Sequence, residues 1–189
     1  MADETTPQEE PQAAADDAVA DVPGRDLPDD PILAPLAEAF PTAEFTSFQP
    51  RNGPRQDTAT VPRDVLVSFV QAVKDAGFET FVDVCGVDYL NRDPRYDVVI
   101  NLLSMRHTKR LIIKVGLTGD DPTIPSITSM YAGANFYERE TWDLFGIVFE
   151  GHTDLTRILL PDEWTGHPLR KTYNVGSVPV QFKGSHKSS

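Results

Sequence analysis

Glu138, Glu140, Asp143, His152, Asp154 and His167 are the residues whose types and closeness in sequence could do chemistry. Carboxylates and imidazoles are ligands that zinc or manganese accepts, and such sets also act as general acids and bases. The spacing argues against both. There is no helical His-Glu-x-x-His pair, and both histidines follow a glycine, which suits loop positions bonded to backbone. The alternative is that the charges exist for one another or for a partner. Glu138, Arg139, Glu140 and Asp143 are interleaved with Phe136, Tyr137, Trp142, Leu144 and Phe145. Ionised groups that close to bulky apolar ones must be paired, or held for a partner, because an unpaired buried charge is too costly to keep. Arg139 and Asp143 are four apart, which is pairing geometry on a helix, and Arg157, Arg170 and Lys171 supply further cations. Trp, Tyr, Phe and Arg together mark binding surfaces. A long aperiodic run of this kind after a compact domain reads as an arm laid on a partner. That reading is favoured over purely internal pairing and over a metal site.

Other chemistries are excluded more simply. The sequence has no glycine-rich phosphate loop and no nucleophile elbow. A single cysteine, Cys85, allows neither an internal disulfide nor a multi-cysteine cluster built by this chain alone. Within FVDVCGVDYL it reads as a buried, inert thiol. No run approaches the ~20 apolar residues of a membrane helix, and the acidic start MADETTPQEE is no secretory signal. These features point to a cytoplasmic protein. The net charge of −12 is unevenly placed: residues 1–30 hold ten acidic residues and one arginine, and the remainder is nearly balanced. No basic face stands out, which argues against nucleic acid.

The elements that must carry the charged run follow from periodicity. Residues 1–29 have too few large apolar side chains to offset ordering entropy and read as a disordered acidic tail. Asp30-Pro31 opens a short helix with Ile32, Leu33, Leu36 and Phe40 as its stripe. Residues 43–49 and 57–61 read as a hairpin about the Arg51–Pro54 turn. Residues 62–76 form the clearest helix, with Val65, Leu66, Phe69, Val70 and Val73 at helical spacing and Gly77 as its stop. Three strands follow, at 79–89, 96–105 and 109–117, joined by tight turns and therefore antiparallel. Ser126 is expected to cap a helix running to about Phe145, with Gly133 as a break, and 147–149 to be one more strand. The predicted fold class is α+β, a two-layer, mainly antiparallel sheet covered by helices, with an extended C-terminal arm. The expected division is a tail at 1–29, a domain at 30–149 and a partner-binding arm and tail at 150–189.

The run YERETWDLFGIVFEGHTDLTRILLPDEWTGHPLRK resembles the fingerprint of the 30-kDa subunit family of respiratory complex I, the C-subunit of bacterial NADH–quinone oxidoreductase. The likeness is carried by Glu138-Arg139-Glu140, Trp142, Asp143 through Gly146 and Ile147, Gly151-His152, Asp154, Arg157 through Pro161, Trp164, and Gly166-His167-Pro168-Leu169-Arg170-Lys171. Thr153, Thr156 and Thr172 depart from the family's proline, arginine and aspartate. A weaker likeness extends from about Ile32 to Tyr173. The resemblance implies a non-redox structural and assembly subunit of a proton-translocating NADH:quinone oxidoreductase, in the unfused form and without a catalytic centre, cofactor or metal of its own. FMN, iron–sulfur clusters and quinone would sit on other subunits. The chief partners would be the quinone-site subunit and the iron–sulfur subunits, on the cytoplasmic side of the membrane and attached only through the complex. Arg157, Arg170 and Lys171 would then pair with the neighbour's carboxylates, and Trp142 and Trp164 would anchor the arm. The remaining readings are the equivalent subunit of a related membrane-bound hydrogenase or another complex-I-like oxidoreductase and, last, a stand-alone metal-dependent hydrolase.

Overall fold

The protein is described from a computed structural model, which covers residues 30–48, 55–174 and 176. The tail at 1–29, the Arg51–Pro54 turn and most of the chain beyond Asn174 lie outside the described residues.

Helix α1 (Leu33–Ala39) starts where Asp30 Oδ1 accepts the Ile32 and Leu33 amides, at 3.0 and 3.1 Å. That is the capping expected of an aspartate before proline. Strands β1 (Glu44–Phe48) and β2 (Gln56–Thr60) pair antiparallel. Helix α2 (Leu66–Asp75) follows a short 3₁₀ turn at Arg63–Val65, so the first turn of the expected helix is wound more tightly. Its Leu66, Phe69, Val70 and Val73 are all buried, and Gly77 ends it at φ +100°. That backbone geometry favours glycine. Strands β3 (Thr80–Asp88), β4 (Tyr96–Ser104) and β5 (Lys109–Leu117) form a meander of antiparallel pairs.

The sheet order is β1-β2-β5-β4-β3. The β2–β5 pair is parallel, which makes the sheet mixed. Alternation along the central strands decides which face is covered. Val98, Ile100 and Leu102 of β4 and Leu111, Ile113, Val115 and Leu117 of β5 are buried. Their neighbours Val99, Asn101, Leu103, Ile112 and Lys114 are half-buried on the opposite face. The buried set joins Leu33, Leu36 and the apolar stripe of α2 in one core. Phe69 lies at its centre, its ring 5.2 Å from that of Phe40 and 6.0 Å from that of Phe45.

Helix α3 (Ala134–Phe145) lies on β3. The approach is close because Gly86 has no side chain: a β-carbon there would meet Phe145 at 3.0 Å and Thr141 at 3.1 Å. The expected helix from Ser126 is shorter than anticipated. Residues 123–125 form a strand, β6, and the chain turns through Ile127–Tyr131 before α3 begins. Strand β7 (Val148–Glu150) pairs parallel with β6 in a separate two-stranded sheet. Cys85 also departs from expectation. Its backbone is in β3, but its side chain faces outward and is exposed rather than buried. Partial burial, with Asp83 and Glu140 nearby, still holds the thiol above its ordinary pKa.

Candidate functional site

The site begins at the C-terminal end of α3. A helix leaves its last four carbonyls without intrahelical partners. Gly146 turns the chain at φ +71° and its amide donates to Trp142 O at 2.7 Å. The following carbonyls are taken up by the arm. His167 Nδ1 donates to Asp143 O at 2.9 Å, which requires the Nδ1–H tautomer. The Leu169 amide donates to Leu144 O at 3.0 Å. Arg170 donates from Nε to Phe145 O at 2.5 Å and from Nη2 to Gly146 O at 3.2 Å. The segment Gly166–Arg170 is therefore a C-terminal cap supplied from more than twenty residues downstream. It also sets a cation where the helix macrodipole is negative. Gly146 must lack a side chain here, since a β-carbon would sit 2.5 Å from the His167 ring.

Asp143 fastens the first half of the arm. Its side chain is fully buried. Oδ1 accepts Arg157 Nη1 at 2.5 Å, and Oδ2 accepts the amides of Ile158, Leu159 and Leu160 at 3.1, 2.9 and 2.9 Å. Burial alone would raise this carboxyl. The three amides and the guanidinium outweigh it and hold the group below the ordinary 3.8. Arg157 continues inward to Trp164 O at 2.7 Å, and its guanidinium lies 5.7 Å from the Trp142 ring centre. Arg139 grips the same segment from the side, donating to Thr156 O at 3.1 Å and Arg157 O at 2.9 Å. The helical Arg139–Asp143 pair is thus not made. Each of the two residues is spent on the arm instead.

Glu138 is the second fully buried acid of α3. It accepts from Ser126 Oγ at 2.6 Å and from the Ile127 amide at 2.8 Å, tying the β6–α3 connection to the helix. Burial pushes its carboxyl above the ordinary 4.5, with Ser126, Ile127 and His152 only partly offsetting the rise. Ser126, expected to cap a helix, serves this carboxylate instead. His152 Nε2 meets Asn135 O at 3.2 Å and Nδ1 accepts the Asp154 amide at 3.1 Å. Glu140, Asp154 and Lys171 are exposed. Among the described residues no group of three or more His, Cys, Asp or Glu side chains converges as a metal site would require. The six candidate ligands are dispersed among separate hydrogen-bonding roles.

A further anchorage is invisible in the fingerprint. Asp88, at the end of β3, receives both Arg95 nitrogens, Nε at 2.9 Å and Nη2 at 2.8 Å, and the Lys171 amide at 2.8 Å. The Arg95 guanidinium, outweighing burial, holds Asp88 far below the usual carboxylate range. Arg95 Nη2 also lies 3.4 Å from Thr172 Oγ1. Asp-x₆-Arg across a tight turn was the available signal, but such pairs are common on hairpins.

The family profile described as "Respiratory-chain NADH dehydrogenase, 30 Kd subunit" matches residues 59–178, a span that includes the whole cap and most of the sheet. The chain belongs to this family. The NADH-quinone oxidoreductase C-subunit of Roseiflexus castenholzii is 43% identical over 152 residues, covering 80% of this chain and 87% of that protein. The C-subunit of the same enzyme from Mycolicibacterium gilvum is 40% identical over 162 residues, covering 82% and 72%. A solved trypsin-resistant fragment (1-134) of Nqo5 aligns with TM-score 0.55 at 34% identity, over 63% of this chain and 93% of the fragment. A chain of an archaeal membrane-bound sulfane sulfur reductase shares the fold, with TM-score 0.64 at 22% identity over 84% and 96%.

Within the 30-kDa subunit fingerprint, the geometry corrects how the residues divide. Arg157 and Arg170 were expected to reach a neighbour's carboxylates, yet both point into the chain's own carbonyls and Asp143. Trp142 was expected as an outer anchor. It is half-buried and packs edge-on to His167, with ring centres 6.3 Å apart. Trp164 is likewise half-buried, and its Nε1 has no hydrogen-bond partner among the described residues. On the arm, the large apolar side chains left outside among the described residues are Ile158, Leu159 and Leu169, at 38, 59 and 48% exposure; Tyr137 and Val148 are exposed on the domain beside it. No described helix is long and apolar enough to cross a membrane.

Proposed function

We propose that the chain is a structural subunit of a proton-translocating NADH:quinone oxidoreductase, with no redox centre of its own, that presents its arm to neighbouring peripheral-arm subunits. One observation carries this reading. The arm is fastened to α3 by buried polar contacts, while Ile158, Leu159 and Leu169 stay outward. Exposed leucines held on a rigid, polar-fastened backbone suit recognition, because little conformational entropy remains to be lost on binding. The partner proposed is the quinone-site subunit, with iron–sulfur subunits beside it, on the cytoplasmic side of the membrane. FMN, iron–sulfur clusters and quinone would be held by those other subunits. The contribution to turnover is geometric: electron transfer needs centres kept at fixed separations, and a scaffold supplies that.

The test is Leu159→Ser with Leu169→Ser in the assembled enzyme. The expected result is loss of co-purifying subunits while the variant chain keeps its own fold by circular dichroism. Normal complex yield and normal quinone reductase activity would overturn the reading. Alanine at Arg170 is the wrong probe for the partner, because that side chain caps α3 and its loss tests the arm's own anchorage.

A further inference from the structure

The turn that joins β3 to β4 carries a second surface, outside the charged fingerprint. Strand β3 ends at Asp88, and Tyr89 and Leu90 follow it, each 44% exposed. Leu90 is held at φ +52°, a left-handed backbone that leucine rarely adopts. The turn is pinned rather than loose. The Tyr89 amide donates to Arg95 O at 3.0 Å and the Leu90 amide to Asp88 Oδ1 at 2.9 Å. The Arg92 guanidinium lies 3.7 Å from the centre of the Tyr89 ring. Asp88 also takes the Lys171 amide, so one carboxylate fixes both this turn and the end of the arm.

Between the turn and the sheet face away from α2 is a pocket of about 520 Å³. Thr60, Lys114 and Gly116 line it from the strands, Tyr89 and Pro94 from the turn. Gly116 lets Pro94 close on the sheet, since a β-carbon there would collide with the proline ring. Of the two acids in the lining, Asp97 is paired with Arg92. Glu44 stands on the far side of Thr60, two strands from Lys114 in the pairing register, which separates their backbones by roughly 10 Å. Neither reaches Lys114. That lysine is half-buried, and its ammonium has no hydrogen bond or ion pair among the described residues.

We infer that this pocket receives an aspartate or glutamate side chain of a neighbouring subunit, with Lys114 as its counter-ion and Tyr89 and Leu90 as apolar contacts at the rim. The inference rests on the reading of the chain as a subunit of the oxidoreductase. An ammonium has donors and no acceptor, so its complement is an anion. Asp97 and Glu44 in the same lining would repel a doubly charged group such as a phosphate, whereas a single carboxylate is balanced by Lys114. A pinned turn has little conformational freedom to lose on binding, and an exposed aromatic ring beside a sheltered charge is the composition of an interface centre. Because Asp88 joins the turn to the arm, the surface continues the one that Leu169 presents.

The experiment is carbodiimide coupling of the assembled enzyme, which joins an amine to a carboxylate only where the two touch, read by mass spectrometry of the linked peptides. The expected result is Lys114 joined to an aspartate or glutamate of another subunit. Lys114→Arg keeps the charge, so the enzyme should assemble normally while that link vanishes. Lys114→Glu should cut the yield of assembled enzyme about tenfold, because like charges then meet in the pocket. The coupling is read on the native enzyme, so it stays decisive even where Lys114→Glu fails to fold. Lys114 left uncoupled, or coupled only to Glu44 of its own chain, would overturn the inference, as would normal assembly of Lys114→Glu. Failure of the subunit reading looks different, since Leu159→Ser with Leu169→Ser tests it without touching this pocket.

Discussion

Asp143→Asn isolates what holds the arm to the helix. The native carboxylate serves one guanidinium through Oδ1 and three consecutive amides through Oδ2, with no exposure to water. An asparagine keeps the shape but supplies one carbonyl oxygen and two donors. Whichever way it turns, either Arg157 loses its carboxylate contact or the three amides face an NH₂. Removing one partner of a buried charge pair costs about 3–5 kcal/mol, and each orphaned buried amide adds about 1–3. The sum is not realised in full, because the arm can lift off and rehydrate its groups. The ceiling is the free energy of docking the arm, and the low end, about 3 kcal/mol, is the expected loss. Hydrogen exchange reads it directly. The amides of Ile158, Leu159 and Leu160 should exchange roughly 150-fold faster, at 1.4 kcal/mol per tenfold. Those of β4 and β5 should change little, since local opening need not involve the core. Exchange at residues 158–160 within threefold of the native protein would refute the assignment of Asp143 as the fastening.

Gly146→Ala should destabilise more than Gly151→Ala. Both need a left-handed backbone, worth roughly 1–2 kcal/mol for an alanine, but the Gly151 position is open whereas that at Gly146 is filled by His167 and Arg170. Thermal melts of the two variants side by side decide it, and equal shifts would contradict the capping geometry. Arm docking should weaken as pH falls through the imidazole range. Burial, with Arg170 and Arg157 close by, holds the folded His167 below its ordinary 6.5. The released arm therefore binds the proton first, and stability present above 6.5 is lost below it. Exchange at Leu169 measured between about pH 7.5 and about pH 5.5 should show this dependence, and His167→Gln should flatten it. Glu138 has the opposite sign at lower pH, because its raised carboxyl takes up a proton in the folded state before it would in the unfolded one.

Strands β4 and β5 and helix α2 were legible because their apolar periodicity is produced by burial of one face, and burial is what the core then showed. The α1 start was legible for a local reason, Asp30 bonding its own neighbours. Pairing between distant segments was not. Nothing in Gln56–Thr60 states that it lies parallel to β5, and β6 is three residues long, too short to display a period. The charged run was recognised as unusual, but its internal logic was missed. Side-chain spacing suggested Arg139 with Asp143, whereas both seek backbone groups of the arm, and backbone groups look the same at every position of a sequence. Cys85 was misplaced for a related reason. An apolar strand context does not say which face of the pleat is covered, and the outward face of β3 carries no helix. Asp88 and Arg95 lay outside the fingerprint altogether, joined to it only by the fold.

The grips that α3 places on the first half of the arm are directed at peptide groups. Arg139 holds carbonyl oxygens, and the Asp143 Oδ2 holds amides. A peptide group is chemically identical whatever residue it joins, so these contacts at 156–160 do not depend on which side chains stand there, whereas His167 and Arg170 fasten the second half through their own side chains. Thr156, for one, is held through its carbonyl and not its side chain. The outward side chains of Ile158, Leu159 and Leu169 take no part in that fastening, so a substitution there leaves the strap's route intact.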